Sequence, residues 1–172
     1  MKKFTKNDLP ELFFEIPSPE FQITWGGFGL DYPLTPEQFQ PLLDSADLPE
    51  PRNLLFKFFD SESRRTAGHI ELLRIDHLIK TLWLGRVLIF SHYRGKGLGT
   101  SLINETLKLV FREMKFEKVS LNVFDYNTPA IKCYEASGFR KEEYHKDSRT
   151  VNGINFSHYC MSITKEEYLE FS

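Results

Sequence analysis

Cysteine is scarce in this chain of 172 residues: only Cys133 and Cys160 occur, with no CxxC spacing and no histidine cluster beside them. That excludes a disulfide framework and a cysteine-built metal site, so two reduced intracellular thiols and no bound metal are expected. No apolar run reaches the length that spans a bilayer. The opening stretch "MKKFTKNDLPELFFEIPSP" has lysines but no apolar core, since Asp8, Pro10, Glu11 and Glu15 interrupt it, and it does not read as a signal peptide. A basic surplus is missing too. The formal charge of −2 argues against a protein built mainly to bind nucleic acid. These absences predict a cytoplasmic protein that works without membrane, nucleic acid or metal.

What is present points to a folded enzyme-sized unit. Apolar residues make up 41% and aromatic residues 15%, enough to bury a core and too many for a disordered chain. Repeats, low-complexity tracts and linkers are missing, so residues 1–172 read as one domain. Charge is uneven along it. Residues 1–60 hold ten Asp/Glu against five Lys/Arg, a net −5, and the remainder is net +3.

Local patterning gives an order of elements. "FQITW" alternates and runs into "GGFG", which predicts a strand closed by a glycine turn. Thr35, Pro36 and Gln38 make a capping-box start for a helix that Pro41 should keep short or kinked. "LLFKFFD", "AGHIELLRID" and "TLWLGRVLIF" read as three strands whose short connections force an antiparallel meander. Leu102, Ile103, Leu107, Val110, Phe111 and Met114 then form one stripe at helical spacing. "KVSLNVFDYN" is a strand, so strand, helix and strand make one parallel crossover. A short helix, "PAIKCYEAS", ends at Gly138. "FRKEEY" and "INFSHYCMSI" are two final strands, with Asn152-Gly153 inside a connection longer than two residues. Thr164 and Glu167 cap a last helical turn. The fold class is α+β.

The chemistry concentrates in "SHYRGKGLGTS", Ser91 to Ser101, where the third meander strand becomes the amphipathic helix. Three glycines at alternate positions leave the backbone bare, so amide groups can converge on a ligand at the positive end of a helix. Arg94 and Lys96 add cationic charge. A phosphate or pyrophosphate suits such a place better than a plain turn does. The GxxxxGK[ST] spacing of a P-loop is absent. Gly95 and Gly97 imitate a dinucleotide fingerprint, but Thr100 replaces its third glycine, and fewer than fifty residues follow Asp125. A doubly wound sheet does not fit in what remains.

"RGKGLG" resembles the R/Q-x-x-G-x-G/A signature of the GNAT superfamily of N-acetyltransferases, with Arg94, Gly97 and Gly99 at the signature positions. "NTPAIKCYEASGF" resembles that superfamily's second signature, with Asn127, Ala130, Tyr134, Gly138 and Phe139 matching. The likeness covers roughly residues 53–163 and leaves residues 1–52 as an acceptor-side segment that the motifs do not specify. It implies a mixed sheet of antiparallel N-terminal strands plus a central parallel strand-helix-strand unit, flanked by helices. It also implies acetyl-CoA as co-substrate, its pyrophosphate on Arg94, Gly95, Lys96, Gly97, Leu98, Gly99 and Thr100. The pantetheine would pair with the backbone of Leu88, Ile89 and Phe90, in a gap between "VLIF" and "SLNVF".

By the same resemblance, Tyr134 is the acid that protonates the departing thiolate, with packing on its helix as the bland alternative. Asn127 either bonds the cofactor or shapes the helix start. Glu71, in a segment similar to the spermidine/spermine N-acetyltransferases, is the candidate base, and His69 shares its face of the strand. The acidic N-terminal region would steer a cationic amine toward acidic groups gathered at the thioester end. The expected partner is a small-molecule amine such as a polyamine, with a homodimer left open. A protein N-terminus as acceptor, and a non-catalytic acetyl-CoA-binding protein of the same fold, are the alternatives.

Overall fold

The computed structural model describes residues 1–60 and 62–171. The chain opens with a two-residue strand β1 (Lys2–Lys3), then helices α1 (Leu9–Phe14), α2 (Pro19–Gly26) and α3 (Pro36–Ala46). Strands β2 (Leu54–Asp60), β3 (Arg65–Asp76) and β4 (Thr81–Ile89) follow, and then α4 (Leu98–Lys108), which runs on as a π-helical turn over Leu109–Glu113. β5 (Lys118–Phe124), α5 (Thr128–Glu135), β6 (Arg140–Val151), β7 (Ile154–Thr164) and α6 (Lys165–Phe171) complete it. One seven-stranded sheet has the order β1-β2-β3-β4-β5-β7-β6. Only β4 and β5 are parallel, as the crossover through α4 requires. The expected α+β mixed sheet is what forms.

Alternation along the strands gives each sheet face its own core. Ile70, Leu72 and Leu84 pack with Leu102, Ile103 and Leu107 of α4 and Ile131 and Tyr134 of α5. On the opposite face Leu55 and Leu88 pack with Leu9, Leu12 and Phe39 from α1 and α3. The predicted α4 stripe is therefore core: Leu102, Ile103, Leu107, Val110 and Phe111 are buried. Each fully buried Leu or Phe side chain of this kind stabilises by about 1.5–3 kcal/mol relative to exposure.

Three local expectations fail for physical reasons. Phe21–Trp25 is helical, not a strand, because Ser18 caps α2 by accepting the Phe21 N–H (3.2 Å) and Pro19 supplies the preset φ of a first helical residue. Gln38 is not drawn into a capping box with Thr35. Its side chain holds the preceding loop instead, accepting from the Asp31 N–H (2.9 Å) and donating to the Asp31 and Pro33 carbonyls. α3 runs from Pro36 to Ala46 with Pro41 inside it, which leaves the expectation of a short or kinked helix standing. At the other end, β6 and β7 run longer than predicted and meet at a two-residue turn, Asn152-Gly153, with φ of 51° and 77°. That matches a primed hairpin turn. The Thr164–Glu167 box forms as expected, Thr164 N–H donating to Glu167 Oε2 (2.9 Å) and Glu167 N–H to Thr164 Oγ1 (3.3 Å).

Candidate active site

The site is built where β4 and β5 part. Their parallel ladder runs from Thr81–Lys118 to Leu84–Leu121 and stops there. Beyond that point β4 stays on β3, while β5 stays on β7 through Phe124. A bulge bends β4 in this stretch: Glu71 pairs with Gly85 and His69 with Leu88, so two steps on β3 oppose three on β4. Arg86 occupies the bulge with φ +47°. The two strands are thus unpaired with each other past Leu84 and Leu121, on the stretch that leads to Leu88, Ile89 and Phe90.

The glycine loop follows that stretch. Gly95 and Gly97 have φ of +74° and +75°, a region costly for residues with a Cβ, and a Cβ built on either would meet nothing within 4 Å. Open space on the ligand side is what an anion cradle needs. Leu98, Gly99 and Thr100 form the first turn of α4, and Ser101 N–H makes the first bond back, to the Gly97 carbonyl (3.3 Å). The amides before it point out of the helix end, carrying its positive pole. Gly99 lets α5 pack close: a Cβ there would lie 3.3 Å from Cys133 Sγ, a tight contact that the thiol would have to ease. Thr100 and Cys133 also touch, at 3.7 Å, so α5 is docked against the start of α4.

Tyr134 lies on the same docked helix. It lies on α5 one residue after Cys133, nearly buried in the core, with its ring 5.9 Å from that of Phe139. Burial, with a smaller contribution from Cys133, pushes its phenol well above the ordinary tyrosine value, so it stays protonated at neutral pH. Asn127 is the N-cap of α5, its Oδ1 accepting from the Ala130 N–H at 3.4 Å.

Glu71 and His69 share a face of β3, as the period of two predicts, and both are fully buried. His69 Nε2 lies 3.1 Å from Glu71 Oε1, and Arg86 Nη1 donates to Glu71 Oε2 at 2.5 Å. Burial alone would raise the Glu71 carboxyl. The His69 bond and the Arg86 guanidinium outweigh it and hold Glu71 below its usual range. Glu71 is thus an ionised carboxylate with both oxygens engaged.

Two features were not legible beforehand. Arg86 reaches Glu71 only through the bulge. Glu15, at the end of α1, binds the loop itself: it accepts from Ser91 N–H (2.6 Å) and Ser91 Oγ (3.1 Å), and its Oε2 is 3.7 Å from Arg94 Nη2. Some acids of the first sixty residues have local partners. Asp8 is paired with Lys57 (2.6 Å), Asp47 with Lys3, and Glu15 with Ser91.

Comparison with known proteins agrees with this geometry. The profile of the acetyltransferase (GNAT) family matches residues 11–139, which carries the likeness well into the N-terminal segment that the motifs left unspecified. An SPbeta prophage-derived N-acetyltransferase of Bacillus subtilis is 32% identical over 115 residues, 66% of this chain and 64% of that protein. Spermidine N(1)-acetyltransferase of Vibrio cholerae is 26% identical over 113 residues, 66% of this chain and 65% of that protein. The matches thus span just under two thirds of each relative's length. In fold, spermidine N-acetyltransferase from Vibrio cholerae, solved in complex with CoA and spermine, superposes with a TM-score of 0.84 at 21% identity, covering 98% of this chain and 96% of that one. No helix among the described residues is long and apolar enough to cross a membrane.

Proposed function

The chain belongs to the acetyltransferase (GNAT) family, and on that premise we propose that it moves an acetyl group from acetyl-CoA to a primary amine of a small cationic molecule, a polyamine in the first instance. The observation that carries the reading is the parting of β4 from β5 after Leu84 and Leu121, with an open cradle of glycines at its end. The pyrophosphate fits the amides of residues 95–100, with Arg94 and Lys96 beside it. The pantetheine amides and the thioester carbonyl fit the backbone of Leu88, Ile89 and Phe90, and Asn127 reaches the cofactor from the start of α5.

Two proton transfers then need residues. The leaving thiolate takes a proton from Tyr134. A free thiol near about 8.5 and a phenol near about 10 are already mismatched, and burial raises both, so the transfer works only as the desolvated thiolate forms. On the other side, an amine of pKa near about 10.4 is neutral to only about one part in a thousand at pH 7.4, a deficit of roughly 4 kcal/mol. The buried cluster of Glu71, His69 and Arg86 beside the cofactor strand relieves that deficit. The polyamine class rests on the Vibrio cholerae relative, named a spermidine acetyltransferase. Residues 1–52 would shape the acceptor side through α2, which lies along β4.

The test is thiol release from acetyl-CoA in the presence of spermidine, spermine, aminoglycosides, amino acids and peptides in turn. Release with the polyamines, and little with the peptides, is expected. Release with peptides alone would move the acceptor to a protein N-terminus. None with any amine, alongside measurable acetyl-CoA binding, would leave a binding protein instead of an enzyme.

A further inference from the structure

Beside the point where β4 leaves β5, three buried nitrogens have no hydrogen-bond partner among the described residues: His69 Nδ1, Trp25 Nε1 and Arg86 Nε. They belong to one neighbourhood. The Trp25 and His69 rings are 6.2 Å apart, His69 and Arg86 both hold Glu71, and Arg86 Nε is 3.9 Å from a Cβ placed on Gly26, the residue after Trp25. Leaving such groups unpaired in the dry interior costs about 1–3 kcal/mol each, so a guest is called for.

The chemistry of the guest follows from the tautomer. Ionised Glu71 can only accept. Its Oε2 takes the Arg86 N–H, so its Oε1 takes the hydrogen on His69 Nε2. In the neutral ring Nδ1 is then left with a bare lone pair, and the other unpaired groups of the neighbourhood, Trp25 Nε1–H and Arg86 Nε–H, are donors. A water has the complement these groups lack: it can donate to Nδ1, accept from Trp25, and keep a lone pair for one more donor.

Resting on the amine-acetylation reading, we propose that His69 Nδ1 is the group that receives the acceptor ammonium's proton, through a water it shares with the Trp25 N–H, while Glu71 and Arg86 position the imidazole. The step balances. The ammonium N–H gives its proton to the water, the water passes one of its own to Nδ1, and the freed nitrogen lone pair forms the new C–N bond as the C–S bond breaks. The departing thiolate takes its proton from Tyr134, and the second proton that leaves the acylated nitrogen restores the phenol. The imidazolium that results lies against the Glu71 carboxylate. His69 is opposite Leu88 in the β3–β4 ladder, about 5 Å across from a strand whose backbone would hold the thioester. The charged groups around it are Glu71 on its own strand, Arg86 on β4, and Lys57 opposite on β2, itself tied to Asp8. α2 contributes Trp25, and the segment after β1 contributes Phe4, whose ring is 4.5 Å from the imidazole.

The experiment combines nitrogen-15 shifts of the His69 ring with kinetics on spermidine for His69→Leu and Trp25→Phe, the second keeping the ring and losing only its N–H. The expected ring is the Nε2–H tautomer with an accepting Nδ1. Both variants should bind acetyl-CoA as the wild type does and lose kcat, His69→Leu by about 10²-fold. The loss in kcat/KM should grow as pH falls, because more of the amine then arrives protonated. An Nδ1–H tautomer, or a folded His69→Leu enzyme within twofold of wild-type kcat, overturns the inference alone. A wild type that binds acetyl-CoA and acetylates no amine overturns the proposed function and this inference together.

Discussion

Arg94 Nε donates to the Ile89 carbonyl at 2.8 Å, folding the signature arginine back over the strand that leads into its own loop. The same guanidinium lies 3.7 Å from Glu15 and 5.3 Å from the centre of the Phe21 ring. Arg94 therefore braces the loop against β4, α1 and α2 together. Arg94→Met keeps the length and removes the donors. Acetyl-CoA should bind about fivefold more weakly, a modest loss because the side chain is 43% exposed and screened. Calorimetry at two salt concentrations checks this, and the variant should show the shallower salt dependence.

Gly97 tests the cradle itself. Gly97→Ala meets no atom within 4 Å but must hold φ +75°, so it should cost about 1 kcal/mol in stability and leave cofactor binding nearly intact. Gly97→Glu adds a carboxylate where the phosphates would lie. Its unfolding midpoint should resemble that of Gly97→Ala while acetyl-CoA binding is lost. Undiminished binding in the folded glutamate variant would remove the anion site.

Tyr134→Phe should lower kcat by about 10²-fold or more with little change in acetyl-CoA affinity, since a proton donor matters in the transition state. A second signature lies in alkaline unfolding. The folded pKa of Tyr134 is raised, so the native state holds a proton that the unfolded chain releases above about pH 10. Its contribution is fully present below that pH and is lost as pH rises toward the folded value. Denaturant titrations between about pH 9 and 11, one unit either side of a free tyrosine, should show a flatter slope for the phenylalanine variant.

How much of this could be read from the chain depends on whether the cause was local. The strand-to-helix turn at the glycine loop, the meander, the α4 stripe and the short helix α5 follow from spacing within short windows, and they appear as read. α2 was misread because Phe21, Ile23 and Trp25 alternate with Gln22 and Thr24 as a strand would. The capping pair that decides the matter, Ser18 and Pro19, stands just outside that window. The Glu71–Arg86 pair had no local signal at all. It joins residues fifteen apart across a bulged ladder, and one residue more or less in the bulge would turn Arg86 to the other face.

Glu71 should matter for folding as well as for turnover. Its folded pKa is depressed, so its contribution is present above the ordinary carboxylate range and is lost as pH falls through the folded value. Glu71→Gln leaves Arg86 and His69 without their counter-charge, which should cost about 3–5 kcal/mol. Urea unfolding at neutral pH should show the loss, and the gap between variant and wild type should narrow toward acid pH. Equal stability at neutral pH would mean that the triad carries no net coupling.

The central claim is that the gap opened between β4 and β5 holds acetyl-CoA, and a crystal structure of the complex with CoA tests it most directly. The account predicts the pyrophosphate within hydrogen-bond distance of the amides of residues 95–100. It also predicts pantetheine amides on the Leu88–Phe90 backbone and the sulfur close to the Tyr134 hydroxyl. CoA bound elsewhere, or bound there with Tyr134 turned into the core and remote from the sulfur, would contradict it.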